Sequence, residues 1–123
     1  MCFCKLLLIV LLFSSCDDGW LQFNDYCLAF SPEELNWYIA ASICQVYGAR
    51  LVQIDSQAKQ DWIVSQMQQQ QLTNAWTGGS NRYHNTMWTW VPSLKLMKAY
   101  TNWHAGEPNN FAGENPSNGK YRL

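Results

Sequence analysis

The side chains that could do chemistry are concentrated in one short polar segment late in the chain. Glu107, Asn109 and Glu114 supply two carboxylates and an amide within eight residues. Ca²⁺ takes about six to eight oxygen ligands of this kind, and a loop that folds back can bring the three side chains together. A cis bond at Pro108 would turn the neighbouring side chains towards one point at modest cost. The segment therefore predicts a calcium site, and the alternative interpretation is a polar surface turn.

Other arrangements of reactive side chains carry less weight. His84 and His104 are twenty residues apart and have no cysteine or acidic residue at zinc spacing, which argues against zinc. The sequence shows no phosphate-binding glycine loop, paired catalytic carboxylates or nucleophilic serine motif. We therefore expect a binding protein and not an enzyme. The seven Trp residues are more typical of a core than of a ligand platform.

The composition excludes several classes of function. The 123 residues carry 8 Lys+Arg and 9 Asp+Glu, a formal net charge of −1. This is not the basic surface that meets a phosphate backbone, so nucleic acid is not an expected partner. Aromatic residues make up 15% of the chain, which argues against disorder. The length corresponds to one domain.

Residues 1–15 are typical of a secretory signal peptide. Lys5 precedes an apolar run over residues 6–13, and Ser14 and Ser15 follow. The run is shorter than the roughly 20 residues of a membrane span, so we expect a secreted, extracellular chain without a membrane span. A cut after Ser15 places Phe13 three residues before the break, where a small residue is preferred. A cut after Ser14 is about as good, so the cleavage position stays ambiguous, and either cut leaves Cys16 in the chain. The alternatives are a buried core helix and a lipoprotein leader.

The elements that position the polar segment begin with a hairpin and a helix. Residues 16–31 predict two short strands, and Cys16 and Cys27 flank their turn and would link the pair. A helix is predicted to start at Ser31 and to end at Gly48. Its predicted inward stripe is Leu35, Ile39, Ile43 and Val46.

A second helix follows a short strand predicted over residues 49–54. Asp55 and Ser56 are its predicted cap, and it fades into the glutamine run 68–71. Its predicted inward residues are Ala58, Ile63 and Met67. Beyond these, Trp, Gly, Asn and Thr alternate without helical periodicity and predict short strands with a long irregular loop. The fold class is therefore α+β.

In this order and at these spacings, the chain resembles a C-type lectin domain in its long form. The resemblance covers residues 16–115. The matching stretches are Cys16, Gly19-Trp20, Phe23, Cys27 and Phe30; Trp37, Ala40-Ala41, Cys44 and residues 47–54; Trp76-Thr77-Gly78-Gly79; Trp88-Thr89-Trp90; Tyr100-Thr101-Asn102-Trp103; and Gly106-Glu107-Pro108-Asn109-Asn110.

The resemblance implies a recognition protein that binds sugars through a loop calcium, with an innate-immune role. In that family a Glu-Pro-Asn sequence accompanies mannose-type sugars with equatorial vicinal hydroxyls, and Gln-Pro-Asp accompanies galactose. By resemblance, Glu107 and Asn109 flank a cis Pro108, ligate calcium and hydrogen-bond two sugar hydroxyls, while Glu114 is the next ligand. No acidic residue lies between Trp62 and Gly106, so at most one calcium is expected.

The sequence departs from the family pattern at Pro116, where the family has a cysteine. The family continues with further strands, a Trp-Asn-Asp segment that completes the calcium shell, and a last cysteine that pairs with the helix cysteine, here Cys44. Removing residues 1–15 also leaves three cysteines, Cys16, Cys27 and Cys44. We therefore expect an unpaired Cys44, a calcium site that is incomplete, and a disulfide-linked dimer through Cys44 as one consequence.

These expectations divide the chain into a signal peptide (1–15), an incomplete C-type lectin-like domain that lacks its C-terminal strands (16–115) and a divergent tail (116–123). The predicted function is calcium-dependent binding of mannose-type glycans. The alternative is a truncated lectin-like chain that binds no sugar and either acts through protein contacts or has no function.

Overall fold

The computed structural model describes residues 2–7, 16–83, 87–108 and 120–121, with only the backbone described for 2–7 and 120–121. Two helices and short strands alternate along these ranges, which confirms the predicted α+β class. The elements are β1 Cys2–Leu7, β2 Leu21–Phe23, β3 Tyr26–Ser31, α1 Trp37–Val46, β4 Arg50–Leu51, α2 Gln57–Gln69, β5 Ala75–Trp76, β6 Gly79–Ser80, β7 Thr89–Trp90, β8 Lys95–Leu96 and β9 Lys120–Tyr121.

The described strands form one larger and one smaller sheet. The larger has six strands in the order β2-β3-β1-β5-β9, with β4 also paired to β1. Strand β1 is antiparallel to β3 and β4 and parallel to β5. The smaller has three antiparallel strands in the order β6-β7-β8. The polar segment lies in the chain between β8 of the smaller sheet and β9 of the larger sheet.

The predicted hairpin and its disulfide are confirmed. Strands β2 and β3 pair antiparallel, and Phe23 lies opposite Tyr26 across the turn. Cys16 and Cys27 are disulfide-bonded, with their Cα atoms 5.6 Å apart. Cys27 is fully buried. A loop of this length contributes about 3 kcal/mol when it is closed by a disulfide, which compensates for the small core of a short chain.

Cys44 is disulfide-bonded in the structure, so the prediction of an unpaired Cys44 is wrong. That prediction counted cysteines after removing residues 1–15, and with them Cys2 and Cys4. In the structure the segment that carries those two residues is β1, a strand of the larger sheet. The prediction of a dimer linked through Cys44 depended on a free thiol and loses that basis.

Helix α1 begins later than the sequence predicts. It starts at Trp37, and the side chain of Asn36 caps it by accepting a hydrogen bond from the Ile39 N–H at 3.0 Å. Ser31 instead ends β3, and its hydroxyl accepts from the Glu33 N–H at 3.4 Å. Asparagine and serine cap helices almost equally well, so composition alone does not select between them.

The inward face of α1 also differs from the predicted one. Trp37, Ala40 and Cys44 are buried, whereas Ile39 is 46% exposed and Val46 is 84% exposed. The predicted apolar stripe is therefore wrong at these two positions. The helix ends as predicted before Gly48, which has a φ of +65°.

Helix α2 confirms the predicted cap and corrects the predicted face. The Ser56 hydroxyl accepts from the Lys59 N–H at 3.2 Å. Ile63 and Met67 are buried as predicted, but Ala58 is exposed, and Lys59 is buried in its place. The Lys59 ammonium tolerates burial because it donates to the Gln53 carbonyl at 3.1 Å and forms an ion pair with Asp55.

Gly78 joins the smaller sheet to the segment that follows α1. Its N–H donates to the Val52 carbonyl at 2.9 Å, and its carbonyl accepts from the Val91 N–H at 2.7 Å. A Cβ atom at Gly78 would lie 3.0 Å from the Val91 carbonyl oxygen and 3.1 Å from that of Leu51. Only glycine permits backbones to approach so closely.

Two predicted segments lie partly outside the described residues. The predicted signal peptide covers β1 and residues 8–15, of which the latter are outside, and it stays a prediction. Of the predicted tail, 116–123, the structure describes β9, which pairs with β5 through Ala75↔Tyr121 and Trp76↔Lys120. Neither of the two described helices has the length and apolar character needed to cross a membrane.

We predict that Gly78→Ala destabilises the protein more than Gly79→Ala. The Gly78 variant must displace backbone carbonyls, at a cost of about 1–3 kcal/mol. At Gly79 the nearest atom is the Met97 Sδ at 3.2 Å, and a flexible thioether can move aside. Urea unfolding of the two variants measures the difference. Equal unfolding midpoints would show that the backbone approach at Gly78 is not a constraint.

Candidate functional site

The loop that carries the predicted site begins in a tight turn. The Glu107 N–H donates to the His104 carbonyl at 2.9 Å, which closes a four-residue turn. Gly106 occupies its third position with a φ of +86°, a conformation that favours glycine in turns of this kind. The turn presents the Glu107 side chain at an exposed position.

The residue before this turn is anchored by an aromatic contact. Trp103 packs edge-on against Trp88, with ring centroids 4.8 Å apart and an interplanar angle of 64°. Both rings pack against the core cluster that contains Trp90 and Met97. Trp88 is held in turn by the smaller sheet, because its carbonyl accepts from the Met97 N–H at 3.0 Å. The smaller sheet therefore fixes where the turn starts.

A second contact ties the same loop to α2. The Tyr100 hydroxyl donates to the Gln57 side-chain carbonyl at 3.1 Å. Burial, and then the negative charge of Asp61, raise the pKa of Tyr100 above its ordinary value of 10.0. The phenol therefore stays protonated and able to donate. Tyr100 and Trp103, three residues apart, therefore fix the start of the loop to the rest of the domain.

Of the predicted ligands, the structure describes Glu107. The peptide bond between Glu107 and Pro108 is cis, which is the isomer that the resemblance implies. Asn109 and Glu114 lie outside the described residues. Within the described ranges no cluster of three or more His, Cys, Asp or Glu side chains could hold a metal ion. A calcium site here therefore needs donors that follow Pro108.

Glu107 stands apart from other acidic residues in the sequence. It is the first acidic residue after Asp61, and its side chain is exposed. The carboxylate of Glu107 is a hard oxygen donor, which fits calcium.

The supporting residues were not identified as such from sequence. From the sequence, Trp88, Tyr100 and Trp103 belong to stretches that match the family pattern, and no contact is assigned to any of them. A contact between residues 88 and 103 depends on how the smaller sheet places the following loop, and pattern alone does not encode that. The Trp37 and Trp76 indoles were likewise not predicted to donate to the Thr77 and Leu35 carbonyls, at 2.8 and 2.6 Å.

With this fold and loop in place, comparison with known proteins identifies the family. The model of the Lectin C-type domain matches residues 33–121, which is most of the chain. The chain therefore belongs to the C-type lectin domain family, and the resemblance inferred from its motifs is confirmed.

Individual relatives agree with this assignment. A perlucin-like protein of the mussel Mytilus galloprovincialis is 32% identical over 81% of this chain, and CD209 antigen-like protein D of Mus musculus is 34% identical over 80%. The chain spans 65% of the first protein and 41% of the second, so it covers less than two thirds of either.

Solved structures confirm the fold. The carbohydrate-recognition domain of the human scavenger receptor C-type lectin superposes with a TM-score of 0.72 at 31% identity. The superposition covers 84% of this chain and 78% of that domain. The predicted C-type lectin-like architecture is therefore correct.

We predict that Gly106→Ala weakens ligand binding by the loop about tenfold. A positive φ costs an ordinary residue about 1–2 kcal/mol, and here the cost falls on the turn that presents Glu107. The assay is retention on immobilised sugar at graded calcium concentrations.

Gly19→Ala is the matched control. Gly19 has a φ of +85° in a turn closed by the Trp20 N–H and the Asp17 carbonyl at 2.9 Å, and a Cβ atom meets no neighbour within 4 Å at either glycine. Gly19→Ala should lower stability without changing ligand binding. Equal binding by the two variants would contradict a role for the Gly106 turn.

Proposed function

We propose that this chain is a secreted, calcium-dependent carbohydrate-binding protein with a mannose-type preference and a recognition role. The observation that carries the proposal is the Glu107-Pro108-Asn109 sequence. It begins at the last residue of an anchored turn, in a domain of the C-type lectin family. The matching family model is that of the Lectin C-type domain, and the solved neighbour is a carbohydrate-recognition domain.

Two aspects of the loop support a role for Glu107. The turn from His104 fixes the backbone that carries it, and the contacts of Trp103 and Tyr100 fix that turn to the domain. A ligand-binding carboxylate gains affinity when its position is set before binding, because less ordering is then paid at the moment of binding.

We propose that Glu107, Asn109 and Glu114 hold one calcium ion. Bound calcium would hold two neighbouring sugar hydroxyl oxygens. The carboxylate of Glu107 then accepts a hydrogen bond from one hydroxyl, and the Asn109 side-chain N–H donates to the other hydroxyl. An acceptor and a donor placed side by side distinguish the orientations of vicinal hydroxyls, which is the basis of the mannose-type preference.

An extracellular location has support that does not depend on the sugar. Both Cys16–Cys27 and the disulfide of Cys44 require an oxidising compartment. The apolar run over residues 6–13 provides an export signal. We propose mannose-type glycans as the partners and binding, not catalysis, as the activity.

We predict that the secreted chain is retained on a mannose resin in calcium and released by chelator. The double variant Glu107→Gln with Asn109→Asp should shift the preference to galactose, because it exchanges which side chain accepts and which donates. Competition by free mannose and free galactose measures the preference.

Glu34→Gln is the control for a Glu-to-Gln exchange away from the loop, because Glu34 is exposed and lies before α1. The double variant itself keeps the net charge, since Asn109→Asp restores the charge that Glu107→Gln removes. The Glu34→Gln variant should keep the mannose preference. An unchanged preference in the Glu107→Gln, Asn109→Asp double variant would contradict the proposed roles of Glu107 and Asn109.

A second candidate is a lectin-like chain that acts through protein contacts. The C-terminal end of α1 favours it, since Val46, its last residue, is 84% exposed and Tyr47, which follows it, is 65% exposed. Contiguous apolar surface of this kind marks binding sites. Flow-through of a folded chain from the mannose resin, in calcium, would select this candidate over the lectin.

A further inference from the structure

The segment predicted to be a disposable leader contains the central strand of the larger sheet. Strand β1 pairs with β3 along its whole length, from Cys2↔Ser31 to Leu7↔Tyr26. On its other side it pairs with β4 through Cys4↔Leu51 and Lys5↔Arg50, and with β5 at Cys2↔Trp76. Three separate parts of the chain therefore meet on this one strand.

Removal of β1 would open backbone edges beside the core. Residues 29–31 of β3 pair with β1 and not with β2, whose register covers residues 26–28. Strand β4 pairs with β1 and with no other described strand. Leu28 and Leu51 are 0% and 3% exposed, so the edges left behind would be those of core strands. Open edges of this kind invite aggregation.

The sequence of the leader is compatible with export without cleavage. A cut after Ser15 places Phe13 where signal peptidases prefer a small residue. The apolar run over residues 6–13 is also much shorter than the roughly 20 residues that hold a helix in a bilayer. A leader of this length is therefore too short to stay in the bilayer as a spanning helix.

We propose that residues 2–7 are retained in the exported protein as its central strand. The leader then serves twice, first as the export signal and afterwards as β1. This proposal does not depend on sugar binding, so a failure of the mannose assay leaves it standing, and its own failure leaves the lectin proposal standing.

The first test identifies the N-terminal residue of the exported protein. The full chain is expressed in a secreting host and purified from the medium. We expect an intact mass near 14.2 kDa, the mass of the whole chain, and an N-terminal peptide that begins at Met1 or Cys2. In a non-reducing peptide map, the peptide with Cys44 should be linked to the peptide with Cys2 and Cys4. A folded product that begins at Ser15 or Cys16 would overturn the proposal.

The second test uses Lys5→Pro with Lys5→Gln as its control, both refolded from the full chain so that export is not required. Lys5 lies between Leu28 of β3 and Arg50 of β4. Lys5 therefore has a paired strand on either side. Proline removes the backbone N–H of this residue, whereas glutamine keeps the N–H and removes the same charge.

The measurement is the hydrogen-exchange rate of the backbone amides in the strands that pair with β1. In Lys5→Pro, the amides of residues 29–31 and 50–51 should exchange about tenfold faster or more than in Lys5→Gln, while α2 amides change less. Equal exchange in the two variants would show that residues 2–7 do not pair in the folded protein. Should Lys5→Pro fail to refold while Lys5→Gln folds, that difference itself supports the strand, and the N-terminal mass decides independently.

Discussion

The backbone hydrogen bonds of Gly78 are the contact on which the rest of the domain depends. They connect Val52, which follows α1 and β4, to Val91, which follows β7. The absence of a side chain at Gly78 lets these backbones approach. A displacement there would shift the smaller sheet, then Trp88, then Trp103 and the turn that carries Glu107. The position of the candidate site is therefore set by packing some thirty residues earlier in the chain.

The loop itself has little apolar content, so a few specific contacts hold it in place. Trp103 supplies an aromatic anchor against Trp88, and Tyr100 supplies a hydrogen bond to α2. Both contacts lie before the Gly106 turn, so they position the backbone from which Glu107 projects. A rigid body that presents a variable loop is a common way to build a binding site.

The sequence predicts the local elements well where the signal is local. The β2–β3 hairpin, its disulfide, the Ser56 cap and the end of α1 before Gly48 each depend on residues close in the chain. The start of α1 is wrong because Ser31 and Asn36 are both good caps, and β3 takes up Ser31 before the helix can begin. The inward stripe is wrong for a separate reason. More than one face of α1 carries apolar residues, and packing selects the face of Trp37, Ala40 and Cys44.

Features that depend on tertiary structure could not be predicted from the sequence. The pairing of β1 with three strands is invisible in a segment whose composition is that of a leader, and the paired state of Cys44 was missed for the same reason. The Trp88–Trp103 contact arises only after the smaller sheet forms. For the site, sequence supplied the residue types at 107, 109 and 114, and the structure adds the turn and the two anchors that position the first of them.

The most direct test of the central claim is a calorimetric titration of calcium into the refolded full chain, with and without methyl mannoside. If sugar and calcium share a site through Glu107 and Asn109, each must tighten the binding of the other by the same factor. We predict one calcium per chain, bound more tightly in the presence of methyl mannoside than in its absence. A calcium affinity that the sugar leaves unchanged, or no calcium binding by a folded chain, would contradict the claim.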